Sequence, residues 1–185
     1  MIPTREQAIE LLQKYNTNEA LIKHALNVEG VMRHFAEKNG EDVEYWGMIG
    51  LLHDIDYEQF PELHNVKAIE ILREHGIDEN VIRSIISHGY GLCAGVDVEP
   101  VHTMEKTLYA IDELTGLVNA AALMRPSKST MDLEYKSLWK KYKQASFAAG
   151  VNRSVIERGC EMMGADLKEI IEETITAMRK VETNA

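Results

Sequence analysis

The stretch "GLLHDIDYE" at residues 50–58 places a histidine and an aspartate, His53 and Asp54, directly after an apolar run. The longer segment "DVEYWGMIGLLHD" is apolar on most sides, which predicts a helix at the centre of the fold. A buried carboxylate is energetically costly unless it is paired or coordinates a metal ion. We therefore expect other polar side chains to meet His53 and Asp54 in the interior of this protein.

Composition limits what kind of protein this is. The chain has 185 residues, of which 45% are hydrophobic and 27% charged, as expected for one globular domain. The first residues lack the pattern of a signal peptide and no apolar run approaches about 18 residues, so we expect a cytoplasmic protein that does not span a membrane. The net charge of −10 argues against general binding to nucleic acids or anionic membranes. Cys93 and Cys160 lie far apart in the sequence, which argues against a disulfide framework or a structural zinc site.

Helical periodicity dominates the sequence, and no alternating pattern typical of strands is evident. Capping residues, glycines and prolines mark where the helices begin and end. The predicted helices cover residues 4–15, 18–40, 42–54, 61–76, 78–89, 101–124, 131–150, 152–163 and 166–180. The glycine-rich residues 89–100 are predicted to form a loop. We expect one all-α domain over residues 1–185.

The positions of the histidines within these helices separate inward-facing from outward-facing side chains, because residues three, four and seven apart share a helix face. His34 shares its face with Lys23 and is expected to point toward solvent. Six polar residues are expected to point into the interior. They are His24, His53, Asp54, His64, His88 and Asp112. One buried histidine is usually a satisfied core residue, but six such groups would need six independent hydrogen-bonding solutions. Imidazole and carboxylate without thiolate suit Fe, Mn, Co, Ni or Zn, with Mg as a further option.

The order of these residues resembles a known signature. His24, then His53 and Asp54, then Asp112 on successive helices resemble the H…HD…D pattern of the HD-domain superfamily of metal-dependent phosphohydrolases. The resemblance covers about residues 18–120 and leaves a helical extension at about 125–182. "LHNVKAIEIL" and "IISHG" are similar to the extra histidine segments of dinuclear branches, including the bacterial diadenosine-tetraphosphate hydrolases. The resemblance implies a compact multi-helix HD-domain bundle that binds one or two divalent ions.

The resemblance also implies a role for each matching residue. His24, His53, Asp54 and Asp112 would hold a first metal ion, Asp54 would bridge to a second, and His64 and His88 would complete the second site. The implied activity is hydrolysis of a phosphate ester or anhydride in a small, nucleotide-like substrate by a metal-bound hydroxide.

One departure from the family concerns the residues after the HD pair. Many relatives have a glycine and a lysine there, whereas this chain has Ile55 and Asp56, so details of catalysis cannot be carried over. Asp56 is the nearest candidate in sequence for a proton shuttle beside Asp54, and a capping or pairing role after the helix end is an equal alternative.

Four basic residues are candidates for binding the substrate phosphate. Arg125 and Lys128 in "MRPSKST" precede a helix N-terminus, where a guanidinium, an ammonium and free backbone N–H groups can bind an anion. Lys67 and Arg83 lie near His64 and His88 in sequence. The same residues could equally be solvated surface charges, although residues 121–153 carry seven basic and two acidic groups in an otherwise acidic chain.

Two other functions stay open at this point. A di-iron oxygenase of the same fold would use a similar ligand set, and a regulatory module would use the metal only structurally. The phosphohydrolase interpretation predicts a small phosphorylated substrate as the partner, and the sequence leaves self-association undecided.

Overall fold

The computed structural model describes residues 1–184 and consists of helices and connecting loops, with no strand in that range. Within these residues nine α-helices follow one another, with short 3-10 turns at Pro61–Leu63 and Ser87–Gly89. They are α1 (Arg5–Tyr15), α2 (Glu19–Asn39), α3 (Val43–Leu52), α4 (Val66–Glu74), α5 (Glu79–Ile86), α6 (Thr103–Leu123), α7 (Tyr135–Tyr142), α8 (Arg153–Met163) and α9 (Leu167–Asn184). The predicted all-α fold is confirmed. None of the helices described is both long and apolar enough to cross a membrane.

Helix α3 forms the centre of the fold, and α2 packs closely along it. All seven residues from Trp46 to Leu52 are buried, as the apolar sequence predicts. Gly40 ends α2 in a left-handed conformation with φ of 70°, and α3 begins three residues later, so the two helices run back along each other. A side chain at Gly50 would lie 3.0 Å from the Val28 carbonyl oxygen, so the glycine permits this close approach. This hairpin brings the end of α3 beside the first half of α2.

The helical extension packs onto the same core. Helix α8 lies against α6, where a side chain at Gly159 would approach Ala110 to within 2.5 Å. Helix α9 lies against α2, and it covers His34, whose Nε2 lies 2.7 Å from Glu173 Oε2. The expectation that His34 points toward solvent is therefore wrong. The face of α2 that carries it is covered by a helix more than a hundred residues away in sequence.

Two predicted helices differ from those observed. The helix expected at 61–76 is broken at Asn65, which has φ of 68°, so that only Val66–Glu74 is α-helical. The helix expected at 131–150 is reduced to Tyr135–Tyr142. The loop after α7 is held by Arg153, whose guanidinium donates hydrogen bonds to the carbonyl oxygens of Lys141, Tyr142, Gln144, Phe147 and Val151. These carbonyl oxygens accept hydrogen bonds from the Arg153 side chain instead of the backbone N–H groups of a longer helix.

Candidate metal centre

His53 lies at the C-terminal end of α3 with its side chain fully buried. Its Nδ1 lies 2.7 Å from the carbonyl oxygen of Gly50. A carbonyl oxygen can only accept, so Nδ1 carries the proton and the lone pair of Nε2 points away from α3. That Nε2 atom is buried and has no hydrogen-bond partner among residues 1–184. A bound cation is one partner that would satisfy it.

Three side chains from three helices form the first cluster. Nε2 of His24, on α2, lies 2.9 Å from Oδ1 of Asp112, on α6. Nε2 of His53 lies 3.3 Å from the same oxygen and 3.3 Å from Oδ2 of Asp54. Ligand atoms of His24, His53 and Asp112 all lie within 4.8 Å of one another.

The second cluster contains His64, His88 and Asp54, whose ligand atoms also lie within 4.8 Å of one another. Nδ1 of His88 lies 2.6 Å from the carbonyl oxygen of Ile85, which directs its Nε2 toward the cluster. Oδ1 of Asp54 lies 3.4 Å from Nε2 of His64 and 3.6 Å from Nε2 of His88. Since Oδ2 of Asp54 faces the first cluster and Oδ1 the second, this carboxylate is placed between the two groups.

The side chains fit divalent metal ions. Nε2 of His64 and Nε2 of His88 lie 3.1 Å apart, and both Nδ1 atoms are engaged with acceptors. Two imidazole lone pairs at this distance repel each other unless a proton or a cation lies between or beside them. Histidines that ligate metals usually donate their second ring N–H to a carbonyl or carboxylate, as three of the four do here. The donor set of nitrogen and oxygen suits a divalent transition metal.

The carboxylates and imidazoles of this centre perturb one another strongly. Burial alone would raise the pKa of Asp54 and of Asp112, but the neighbouring imidazoles, His53 foremost, hold the pKa of each carboxyl well below its usual range. Burial opposes the charged form of His53, yet Asp54 and Asp112 raise the pKa of this imidazole. The two carboxylates thus make the centre attractive to positive charge.

Asp56 occupies a different environment from the one a proton shuttle needs. Its side chain is fully buried. Oδ1 lies 2.8 Å from Nδ1 of His64, and Oδ2 accepts a hydrogen bond of 2.8 Å from the backbone N–H of Ala68. Both oxygens are therefore occupied on the side of His64 that faces away from the cluster. The pairing alternative fits Asp56 better than the shuttle.

The expected anion clamp of Arg125 and Lys128 is not formed at the metal centre. Helix α6 extends for eleven residues beyond Asp112, about 17 Å at 1.5 Å per residue, before Arg125 is reached. Nε and Nη2 of Arg125 donate hydrogen bonds to the two carboxylate oxygens of Asp132, at 2.8 and 2.9 Å. Lys128 lines a different groove, together with Lys23. Arg125 and Lys128 are close in sequence, but the turn after α6 places their side chains in different grooves.

Lys67 and Arg83 are engaged elsewhere as well. Arg83 forms an ion pair with the buried Glu105 and donates a 2.9 Å hydrogen bond to the Glu99 carbonyl. Its groove is lined by residues at the start of α3, whereas His53 lies at the other end of that helix. Nζ of Lys67 lies 2.5 Å from Oε2 of Glu70. Neither side chain contacts the two clusters, although Lys67 is only three residues from His64.

Two side chains near the centre were not predicted. Tyr57 is 43% exposed, and its ring meets the His64 ring edge-on, with 5.2 Å between centroids. The guanidinium of Arg158, on α8, lies 4.7 Å from the centroid of the Tyr90 ring, two residues after His88. Tyr57 could have been suspected from its place three residues after Asp54. Nothing in the sequence connects Arg158 to residues 88–90.

Comparisons with known proteins agree with this geometry. The HD domain family matches residues 21–117, just over half of the chain. A tRNA (cytidine(56)-2'-O)-methyltransferase of Thermoplasma volcanium is 32% identical over 100 residues, which are 54% of this chain and 29% of that protein. The chain therefore spans less than a third of the length of this relative. No solved structure matches the chain significantly. The matched residues include His24, His53, Asp54 and Asp112, and this chain belongs to the HD domain family.

Proposed function

We propose that this protein is a metal-dependent hydrolase of a phosphate ester or anhydride in a small, nucleotide-like molecule. The observation that carries the proposal is the pair of ligand clusters that share Asp54, with imidazole Nε2 atoms directed toward them. Membership of the HD domain family supports the same reaction class.

Each residue has a distinct part in this proposal. His24, His53 and Asp112 would hold one divalent ion and His64 and His88 would hold the other, with the carboxylate of Asp54 placed between the two groups. Divalent ions in such a pair of sites supply Lewis acidity and lower the pKa of bound water. The carbonyl oxygens of Gly50 and Ile85 fix the orientation of His53 and His88, and Asp56 does the same for His64. Asp56 is accordingly a positioning residue.

Access to the centre comes from its partly exposed side chains. The side chains of Asp54, Asp112 and His24 are 19%, 20% and 23% exposed, whereas His53 beneath them is fully buried. A phosphate can therefore approach from the surface formed by the carboxylates and His24. The exposed ring of Tyr57 beside His64 offers a flat apolar surface on which a nucleobase can stack.

The name of the methyltransferase relative does not change the proposed substrate class. That name describes a protein acting on tRNA, of which this chain spans 29%. The net charge of −10 is unfavourable for the many phosphate contacts that RNA binding requires. A small phosphorylated substrate fits the charge better.

The proposal is tested with protein loaded separately with Mn, Fe, Co, Ni, Zn or Mg. Each form is incubated with mononucleotides and dinucleoside polyphosphates, and the release of phosphate or nucleotide is measured. We expect activity that is lost in His53→Ala and in Asp54→Ala. His75→Ala is the matched control, because His75 lies at the end of α4 and binds the Ile71 carbonyl away from the clusters.

Two results would contradict the proposed hydrolase function. Activity that survives both ligand substitutions would belong to a contaminant. Oxygen consumption by the iron-loaded protein, without hydrolysis of any phosphorylated compound, would identify the oxygenase alternative instead.

A further inference from the structure

We propose that Arg158 binds a second anionic group of the substrate, so that the site prefers molecules with at least two linked phosphates over those with one. The inference rests on the proposed function and extends it, since it names a substrate feature and a residue that recognises it. Arg158 lies in the helical extension, outside the residues that match the HD domain family.

Arg158 contacts two tyrosines that lie close in sequence to ligands of the metal centre. Its guanidinium lies 4.7 Å from the centroid of the Tyr90 ring, and Tyr90 follows His88 by two residues. The hydroxyl of Tyr109 donates a 3.3 Å hydrogen bond to the Tyr90 carbonyl, and Tyr109 precedes Asp112 by three residues, close to one turn of α6. Arg158 is thus adjacent to segments that carry one ligand from each cluster.

Arg158 also differs from every other arginine in residues 1–184 in its partners. Arg5, Arg33, Arg73, Arg83 and Arg125 bind carboxylates. Arg153 and Arg179 donate to backbone carbonyls. Arg158 is exposed and contacts aromatic side chains. Within residues 1–184 it binds neither a carboxylate nor a backbone carbonyl. One donor faces the Tyr109 hydroxyl, and the other hydrogen-bond donors of Arg158 are free of partners within residues 1–184 and available to a ligand.

The chemistry of the side chain suits phosphate. A guanidinium presents donors in a planar fork that matches two phosphate oxygens, and stacking on an aromatic ring holds the plane in place. Gly91 has φ of 71°, and a side chain built there would lie 3.3 Å from Nη1 of Arg158. Glycine at this position leaves the guanidinium uncovered.

A charge count gives the reason for a second phosphate. Two divalent ions together with the carboxylates of Asp54 and Asp112 leave a charge of +2, which balances one dianionic phosphate. A further phosphate in the same molecule needs another cation, in a chain whose net charge is −10. Arg158, on the tyrosines next to His88 and Asp112 in sequence, supplies that cation.

The test measures binding and does not depend on turnover. Metal-loaded protein is titrated calorimetrically with methylenebisphosphonate, which carries two linked phosphonates and resists hydrolysis, and with methylphosphonate, which carries one. We expect Arg158→Ala to weaken binding of the bisphosphonate by about 10- to 100-fold, the range for hydrogen bonds to charged groups, and to leave the monophosphonate unchanged. Metal content is measured after each titration to exclude stripping of the ions.

Two further variants sharpen the result. Arg158→Lys keeps the charge but loses the fork, and we expect it to recover part of the lost affinity. Lys168→Ala is the matched control: its ammonium lies 5.5 Å from the Tyr135 ring centroid, at the start of α9. Lys168 lies far from the metal centre, because its neighbour Glu169 binds Lys38. Lys38 is fourteen residues from His24 along α2, a distance of about 21 Å.

The possible failures can be told apart. If Arg158→Ala weakens both probes equally, or neither, the inference is wrong while the proposed function stands. If the wild-type protein with bound metal binds neither probe, the inference and the proposed function are both overturned.

Discussion

Asp56→Asn tests whether the buried carboxylate beneath His64 controls one metal site selectively. Asp56 accepts from Nδ1 of His64 and from the N–H of Ala68, both at 2.8 Å. An asparagine has one carbonyl oxygen and can serve only one of these donors well. Either the Ala68 N–H loses its acceptor, or the imidazole of His64 faces an amide N–H and is driven to the tautomer with its proton on Nε2. That tautomer cannot ligate a metal through Nε2.

The expected magnitude follows from the loss of this supporting hydrogen bond. Removing the outer partner of a metal-ligating histidine typically costs 10- to 100-fold in metal affinity, about 1.4 to 2.7 kcal/mol. The cost should fall on the site of His64 and His88. The site of His24 and His53 should keep its affinity, because Asp56 contacts none of its ligands.

Calorimetric titration with Mn or Zn and elemental analysis after dialysis measure this effect. The wild-type protein should bind two ions, and Asp56→Asn should retain one tightly and release the other. Asp132→Asn is the matched control, because Asp132 is an exposed carboxylate bound to Arg125 and remote from the centre. Unchanged affinity for both ions, with a lower kcat, would refute the positioning role and restore the proton-shuttle hypothesis.

Three further predictions concern stability and reactivity. Each ion present at 100 times its Kd should raise the free energy of unfolding by about 2.7 kcal/mol and the Tm by about 5–11 °C relative to chelator-treated protein, so that two ions give about twice these shifts. An unchanged Tm would argue against metal binding by the folded chain. Gly159→Ala should lower the Tm by about 2–12 °C, because overpacking costs about 1–3 kcal/mol. The new methyl group would lie 2.5 Å from Ala110, where α8 meets α6. An unchanged Tm would mean that α8 can shift on α6. Burial raises the pKa of Cys160 to about 11, so about 0.1% of this thiol is ionised at pH 8. Iodoacetamide should therefore not label Cys160 in the native protein within the time that labels a denatured control. Raising the pH toward 11 should increase the labelling rate, and rapid reaction at pH 8 would contradict the buried position.

The sequence contained enough information to predict much of the fold and the polar groups that meet in it. Helix periodicity and capping signals are local, so the helices at 18–40, 101–124 and 152–163 are close to those observed. The ligand candidates could be selected because a polar group on an apolar helix face is a conflict visible in one helix alone. That reasoning identified all six members of the two clusters.

The conformation of the connecting segments was less predictable. At the break, Asp56 binds both His64 and the Ala68 N–H in the first turn of α4, and Asn65 packs against Gly89 and Cys93. The shortened α7 depends on Arg153, which lies eleven residues after Tyr142, the last residue of that helix. In both places a side chain from another segment replaces the local hydrogen bonds that the helical pattern would have predicted.

The surroundings of the site were decided by tertiary structure alone. Arg125 and Arg83 lie where sequence distance suggested access to phosphate, yet their donors are taken by Asp132 and Glu105. Arg158 lies seventy residues from His88 in sequence and reaches Tyr90 only because α8 packs on α6. The sequence by itself determined which groups must be buried together, because burial follows from the apolar face of each helix. Which charges remain available to a ligand was decided by the packing, because an ion pair depends on distances between helices that no local pattern specifies.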